Sequence, residues 1–185
     1  MKNYWQNAVT FDEYIKETER RIEVQNPEDE HNEYYELGLQ RMNRTLKTFK
    51  IDEEQLNVLK SKNFKGKILI ISEPWCGDAS ATVPAVSKFF EGHNDVRIFY
   101  RDSDTSLIDQ FLTNGTQSIP KILILDENFE VKNVWGPRPK FGNDLLKKFK
   151  ENPETYPREE FYNDLQVYYA KNRGKDAITE LLELL

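Results

Sequence analysis

Cys76 is the only cysteine among 185 residues. It stands in the stretch KILIISEPWCGDASATVPAVS, from Lys67 to Ser87. A β-branched apolar run breaks at Pro74, presents Trp75, Cys76 and Gly77, and passes into a helix-compatible segment. A strand, a tight turn and a helix in that order put the thiol at a helix N-terminus. Free N–H groups and the macrodipole there favour a thiolate. The expectation is a reactive thiol on an exposed turn. The plainer alternative is a small hydrophobe, the usual role of a lone cysteine.

Other candidate chemistry is weaker. Asp102 and Asp104 read as a carboxylate pair only at greater cost than as a polar turn after a strand. Arg138, between Pro137 and Pro139, reads as a solvated loop arginine; its sharper alternative is contact with an anionic substrate such as glutathione. His31 and His93 lack a ligand spacing with Cys76 and read as surface residues, so no metal site is expected. The sequence contains no glycine-rich phosphate loop, Ser/His/Asp order or metal-ligand cluster. A single cysteine excludes an intrachain disulfide and implies no oxidising compartment. Charged residues make up 31% with a net charge of −6, and no basic stripe offers a nucleic-acid footprint. Without a signal-like start or a run near the roughly 18 apolar residues that span a bilayer, a soluble cytoplasmic protein is expected, with no membrane partner.

The elements that must position Cys76 follow from pattern. Thr10 and Glu13 have the capping-box form, predicting a first helix over about Phe11–Val24. Pro27, with Glu28, Asp29 and Glu30, predicts a second start. Tyr35, Leu39, Met42, Leu46 and Phe49 form its core-facing stripe. Ile51–Lys60 predicts a third helix with Leu56 and Leu59 inward. Ile68–Ile71 reads as a strand covered on both faces. Ala79–Phe90 predicts a helix with Pro84 inside it, Asp95–Tyr100 a strand, and Thr105–Leu112 a short helix. Lys121–Leu125 and Val131–Trp135 read as a hairpin. Asn143–Lys150 predicts a helix that packs Leu145, Leu146 and Phe149 on the sheet, and Pro153 and Pro157 mark a linker to two further helical segments. The result is an α/β domain over residues 64–151, with helical extensions over 1–63 and 152–185. Parallel pairing is expected at the crossovers and an antiparallel hairpin at the end.

This element order, with Trp75-Cys76-Gly77 after the first strand and Ile119-Pro120 before the hairpin, resembles the thioredoxin-like family over about half the chain. The resemblance implies a mixed sheet of about four strands flanked by helices. It implies a thiol at Cys76 and a facing Ile119–Pro120 peptide, usually cis, that positions extended thiol or peptide substrates. Trp75, Gly77, Asp78, Ile119 and Pro120 are then the substrate-binding residues, and Gly136 matches a glycine often found after the last strand. The Trp-Cys-Gly-Asp variant and the helical front resemble a bacterial branch of the family. Ala79 occupies the place of the resolving cysteine and Asp78 that of the family proline. Ile70 occupies the place of a buried proton-transferring aspartate.

Dithiol turnover needs a second thiolate to release the mixed disulfide. Ala79 has no nucleophile, and the Ser80 hydroxyl is too weakly acidic. The expected role is monothiol exchange or deglutathionylation on protein or peptide partners, with no cofactor beyond glutathione as co-substrate. The alternative is a non-catalytic peptide-binding module whose groove beside Pro120 is lined by Trp75, Ile119 and Trp135, although Trp135 is better read as core packing. A cluster shared between subunits through glutathione, which monothiol relatives of the fold can hold, is the weakest reading.

Overall fold

The computed structural model describes residues 1–185. Four helices come first: α1 (Lys2–Asn7), α2 (Phe11–Val24), α3 (Asn32–Thr48) and α4 (Glu53–Lys62). The sheet region follows as β1 (Lys67–Ser72), α5 (Gly77–Phe90), β2 (Val96–Tyr100), two 3₁₀ turns (Arg101–Ser103 and Ile108–Phe111), β3 (Lys121–Leu125) and β4 (Val131–Trp135). Three helices close the chain: α6 (Lys140–Glu151), α7 (Arg158–Asn172) and α8 (Lys175–Leu184).

Local chemistry sets several boundaries. At the start of α2 the Thr10 hydroxyl accepts from the Glu13 N–H, and the Glu13 carboxylate accepts from the Thr10 N–H at 2.7 Å. Such a cap contributes about 1 kcal/mol. Asp52 caps α4 by accepting from Glu54 and Gln55. Pro27 does not open α3. Asn26 accepts from the Glu28 N–H and Asp29 from the His31 N–H, so the segment folds as side-chain-stabilised turns and the helix starts at Asn32. α1 has no counterpart in the sequence reading. It is six residues long without a side-chain cap and is held by tertiary packing, with Trp5 buried under the Arg97 guanidinium.

The sheet order is β2-β1-β3-β4. β1 pairs parallel with β2 and antiparallel with β3, which pairs antiparallel with β4. Only the first crossover therefore gives the expected parallel pair. The second connection contains 3₁₀ turns where a helix over Thr105–Leu112 was expected. It does not carry the chain back along the sheet, so β3 runs opposite to β1.

β1 is buried throughout Ile68–Ser72, and its alternation splits the core. Ile68 and Ile70 join a cluster with Tyr14, Met42, Leu59, Val83, Phe89, Ile178 and Leu181. Leu69 and Ile71 join Trp5, Phe99, Leu107, Ile108 and Ile119 on the other face. Both terminal helical regions thus share one core with the sheet. Leu145, Leu146 and Phe149 do not pack on the sheet as expected. They meet a third cluster of Ala81, Tyr156, Phe161, Leu165 and Tyr169, built around α7. No helix is long and apolar enough to cross a membrane.

Candidate functional site

β1 ends at Ser72, and Glu73-Pro74-Trp75 turn the chain so that the Cys76 N–H reaches the Glu73 carbonyl at 3.1 Å. Cys76 is the N-cap of α5 and makes no side-chain cap hydrogen bond. Its Sγ donates to the Ile119 carbonyl at 3.3 Å, and the Ile119–Pro120 peptide is cis. Contrary to the exposed turn expected, the thiol is half-buried. Burial, then the Asp78 carboxylate, pushes it up to about 12, against the opposing pull of the Ala79 and Asp78 N–H groups. At neutral pH the sulfur is a thiol, because desolvation and a neighbouring negative charge outweigh the helix terminus.

Asp78, in the first turn of α5, is buried. Only 7% exposed, it pairs with Arg138 Nη2 at 2.6 Å and accepts from the Tyr169 hydroxyl at 2.7 Å. Burial raises its carboxyl, and Arg138 and Tyr169 pull the other way. Arg138 is likewise no solvated loop arginine: its side chain is 17% exposed, and its buried Nε has no acceptor. Ala79 and Ser80 are buried, and the Ser80 hydroxyl donates to the Gly77 carbonyl at 2.9 Å. That bond spends the one hydroxyl near the missing thiol position on the helix backbone. Gly136 lies against Pro120, where a Cβ would overlap the proline carbonyl oxygen.

Trp75 is clamped on several sides. The His31 ring stacks on it at 4.2 Å and 13°, the Arg101 guanidinium lies 4.8 Å over it, and its indole N–H donates to Asp102 at 3.2 Å. His31 and Asp102 are therefore site residues, where the sequence suggested surface and turn. Asp104 only caps the Ser106 N–H. Behind Trp75, Glu73 is 1% exposed, accepting from the Asp102 N–H at 2.9 Å and from Arg21 at 3.1 Å. Arg21 also donates to Tyr35, whose hydroxyl donates to Asp29. The one sequence signal for Glu73 is a carboxylate directly after the apolar strand.

Cys76, Asp78, Arg138, Trp75, His31 and Arg101 border a cleft of about 770 Å³. Its floor holds Trp75, Cys76, Gly77, Asp78 and Ile119, while Tyr34, Leu37 and Arg41 of α3 form one wall and Arg158, Tyr162, Leu165 and Gln166 of α7 another. Pro120 is buried beside Ile119 and does not border the cleft, and neither does Trp135. Trp135 is 6% exposed in the core, with its indole N–H on Glu180 at 2.7 Å. His93 is exposed and lies away from the cleft. No three His, Cys, Asp or Glu side chains gather as a metal site.

The comparisons with known proteins agree with this architecture. No curated protein matches the sequence significantly. Two crystal structures resemble the fold: an HIV epitope-scaffold, and a protein of unknown function from Pseudomonas aeruginosa. The first has 14% identity and a TM-score of 0.66, over 99% of this chain and 95% of that one. The second has 15% identity and a TM-score of 0.61, over 98% and 93%. The family model described as thioredoxin matches residues 24–150, a range that takes in α3, the cysteine turn, the facing Ile119–Pro120 peptide and the final hairpin. The chain belongs to the thioredoxin family.

Proposed function

We propose that this protein is a non-catalytic binding module of the thioredoxin fold, holding a peptide-like ligand in the cleft above Cys76. The carrying observation is the cleft itself. Helices α3 and α7, which flank the strand–helix–strand core, wall in about 770 Å³ over the cysteine turn, a volume within the range of ligand sites. Two features weigh against turnover: Ala79 supplies no second thiolate, and the Cys76 thiol is held protonated.

A monothiol reading has one observation in its favour, the Asp78 and Ala79 N–H groups that pull on the Cys76 sulfur. In that chemistry a Cys76 thiolate would attack a disulfide R–S–S–R′, forming Cys76–S–S–R and expelling R′–S⁻. A glutathione thiolate would then attack the R sulfur, forming G–S–S–R and releasing Cys76 as its thiolate.

The parent and Cys76→Ser proteins separate the readings. With a glutathionylated peptide and excess glutathione, the expected result is no turnover by either protein, with equal binding of the S-methylated form of that peptide by fluorescence anisotropy. Turnover confined to the parent would establish the monothiol reading instead, and absence of binding by both proteins would remove the binding module.

A further inference from the structure

The cleft is charged oppositely to the protein. The chain carries a net −6, yet four arginines, Arg41, Arg101, Arg138 and Arg158, border the cleft with a single carboxylate, Asp78. Arg138 is spent on Asp78 and Arg101 on Asp102, each pair at 2.6 Å. Arg158 reaches only the Tyr162 hydroxyl at 3.4 Å. Arg41 is half-buried in the α3 wall and has no hydrogen bond or ion pair. Its Nη1 lies 3.3 Å from where a side chain on Gly77 would begin, so the guanidinium covers the first turn of α5. Of the charges around it, Arg44 repels it and Asp78, already committed to Arg138, attracts it.

A half-buried guanidinium beside the positive end of a helix, with no hydrogen bond or ion pair of its own, is an arrangement that a ligand carboxylate would complete. From the opposite wall Gln166 brings its Nε2 within 3.5 Å of the same point over Gly77, and its buried Oε1 has no donor. Tyr34, Leu37 and Tyr162 stand 47%, 42% and 45% exposed around the cleft, giving an apolar rim to a polar interior.

We propose that the cleft reads a short acidic peptide: Arg41 takes a ligand carboxylate as a bidentate pair over the first turn of α5, and the Gln166 Nε2–H donates to a ligand carbonyl. Arg158 supplies a second cation, and Tyr34 and Tyr162 flank the peptide's apolar body. The proposal names the ligand class of the binding-module reading and requires no reaction at Cys76.

The test is calorimetric titration of the Cys76→Ser protein, which forms no covalent adduct, with acetylated Glu-Ala-Glu and with acetylated, amidated Gln-Ala-Gln. The acidic peptide is expected to bind at least tenfold more tightly, and more weakly as salt rises. Arg41→Gln and Arg158→Gln should each weaken it severalfold or more, while Lys147→Gln on exposed α6 leaves it unchanged, with folding of each variant checked by its melting temperature. Equal binding of the two peptides, or an Arg41→Gln protein that binds as the parent does, overturns the acidic class and leaves the binding module standing. Binding of neither peptide overturns both. Inorganic phosphate displacing the acidic peptide at equal or lower concentration would reassign the site to phosphate and overturn the peptide proposal.

Discussion

Cys76 and Asp78 are two positions apart and act on each other through charge. Burial, and after it the Asp78 carboxylate, holds the thiol at about 12, far above the ordinary value of about 8.5. The rate of alkylation by iodoacetamide should therefore keep rising through pH 10 with no plateau, because the thiolate fraction is still growing there. A plateau at or below pH 8.5 would refute this. Asp78→Asn removes the repelling charge and releases Arg138, whose pull lowers the thiol. Its profile should move to lower pH, with faster alkylation at pH 8 than in the parent; an unmoved profile would assign the protonation to burial alone. The residue types at this turn were legible in the sequence. Their protonation was not, since Arg138 and Tyr169 reach Asp78 from far along the chain, Tyr169 from 91 positions away.

Elements place that turn by close approach. α3 runs against the start of α5 so tightly that a Cβ on Gly38 would overlap the Pro74 carbonyl oxygen. Gly38→Ala must push α3 away from the cysteine turn, at a cost of about 1–3 kcal/mol for an overpacked contact. Urea unfolding would read this as a lower midpoint at unchanged slope, and a midpoint within error of the parent would mean that the helices part freely. The stripe of Tyr35, Leu39 and Met42 announced the buried face of α3. Tyr34, Leu37 and Arg41, spaced by three and four on the neighbouring face, carried the cleft signal; without knowledge of α7 opposite them they read as ordinary surface. The α2 cap was legible because Thr10 and Glu13 need only each other. The turn at Pro27 misled because its competing Asx hydrogen bonds are as local as the helix start they replace.

In the whole molecule, the C-terminal helices are part of the core as well as of the cleft. Ile178, Leu181 and Leu182 of α8 are buried with β1 and α5, and Gln55 of α4 donates to the Lys175 carbonyl at 2.8 Å. Each large side chain contributes about 1.5–3 kcal/mol by burial, so together they match much of a domain's usual net stability of about 5–15 kcal/mol. A chain ending at Glu151 should accordingly lose cooperative thermal unfolding and expose apolar surface to a dye. A sharp transition within a few degrees of the parent would show that residues 1–151 stand alone.

The sequence by itself determined what near neighbours decide: the buried strand at Ile68–Ile71, the capped α2, the strand–turn–helix around Cys76, the Ile119-Pro120 dipeptide before a hairpin, and the absence of a second thiol at Ala79. Propensity, capping and period act over a few residues, so a linear pattern carries them. Tertiary structure alone decided that β3 runs antiparallel to β1, that His31 stacks on Trp75, that Arg138 pairs with Asp78 and that α3 and α7 wall a cationic cleft. Those outcomes depend on through-space desolvation and charge between distant segments. The same forces that close the cleft keep its cysteine a neutral thiol.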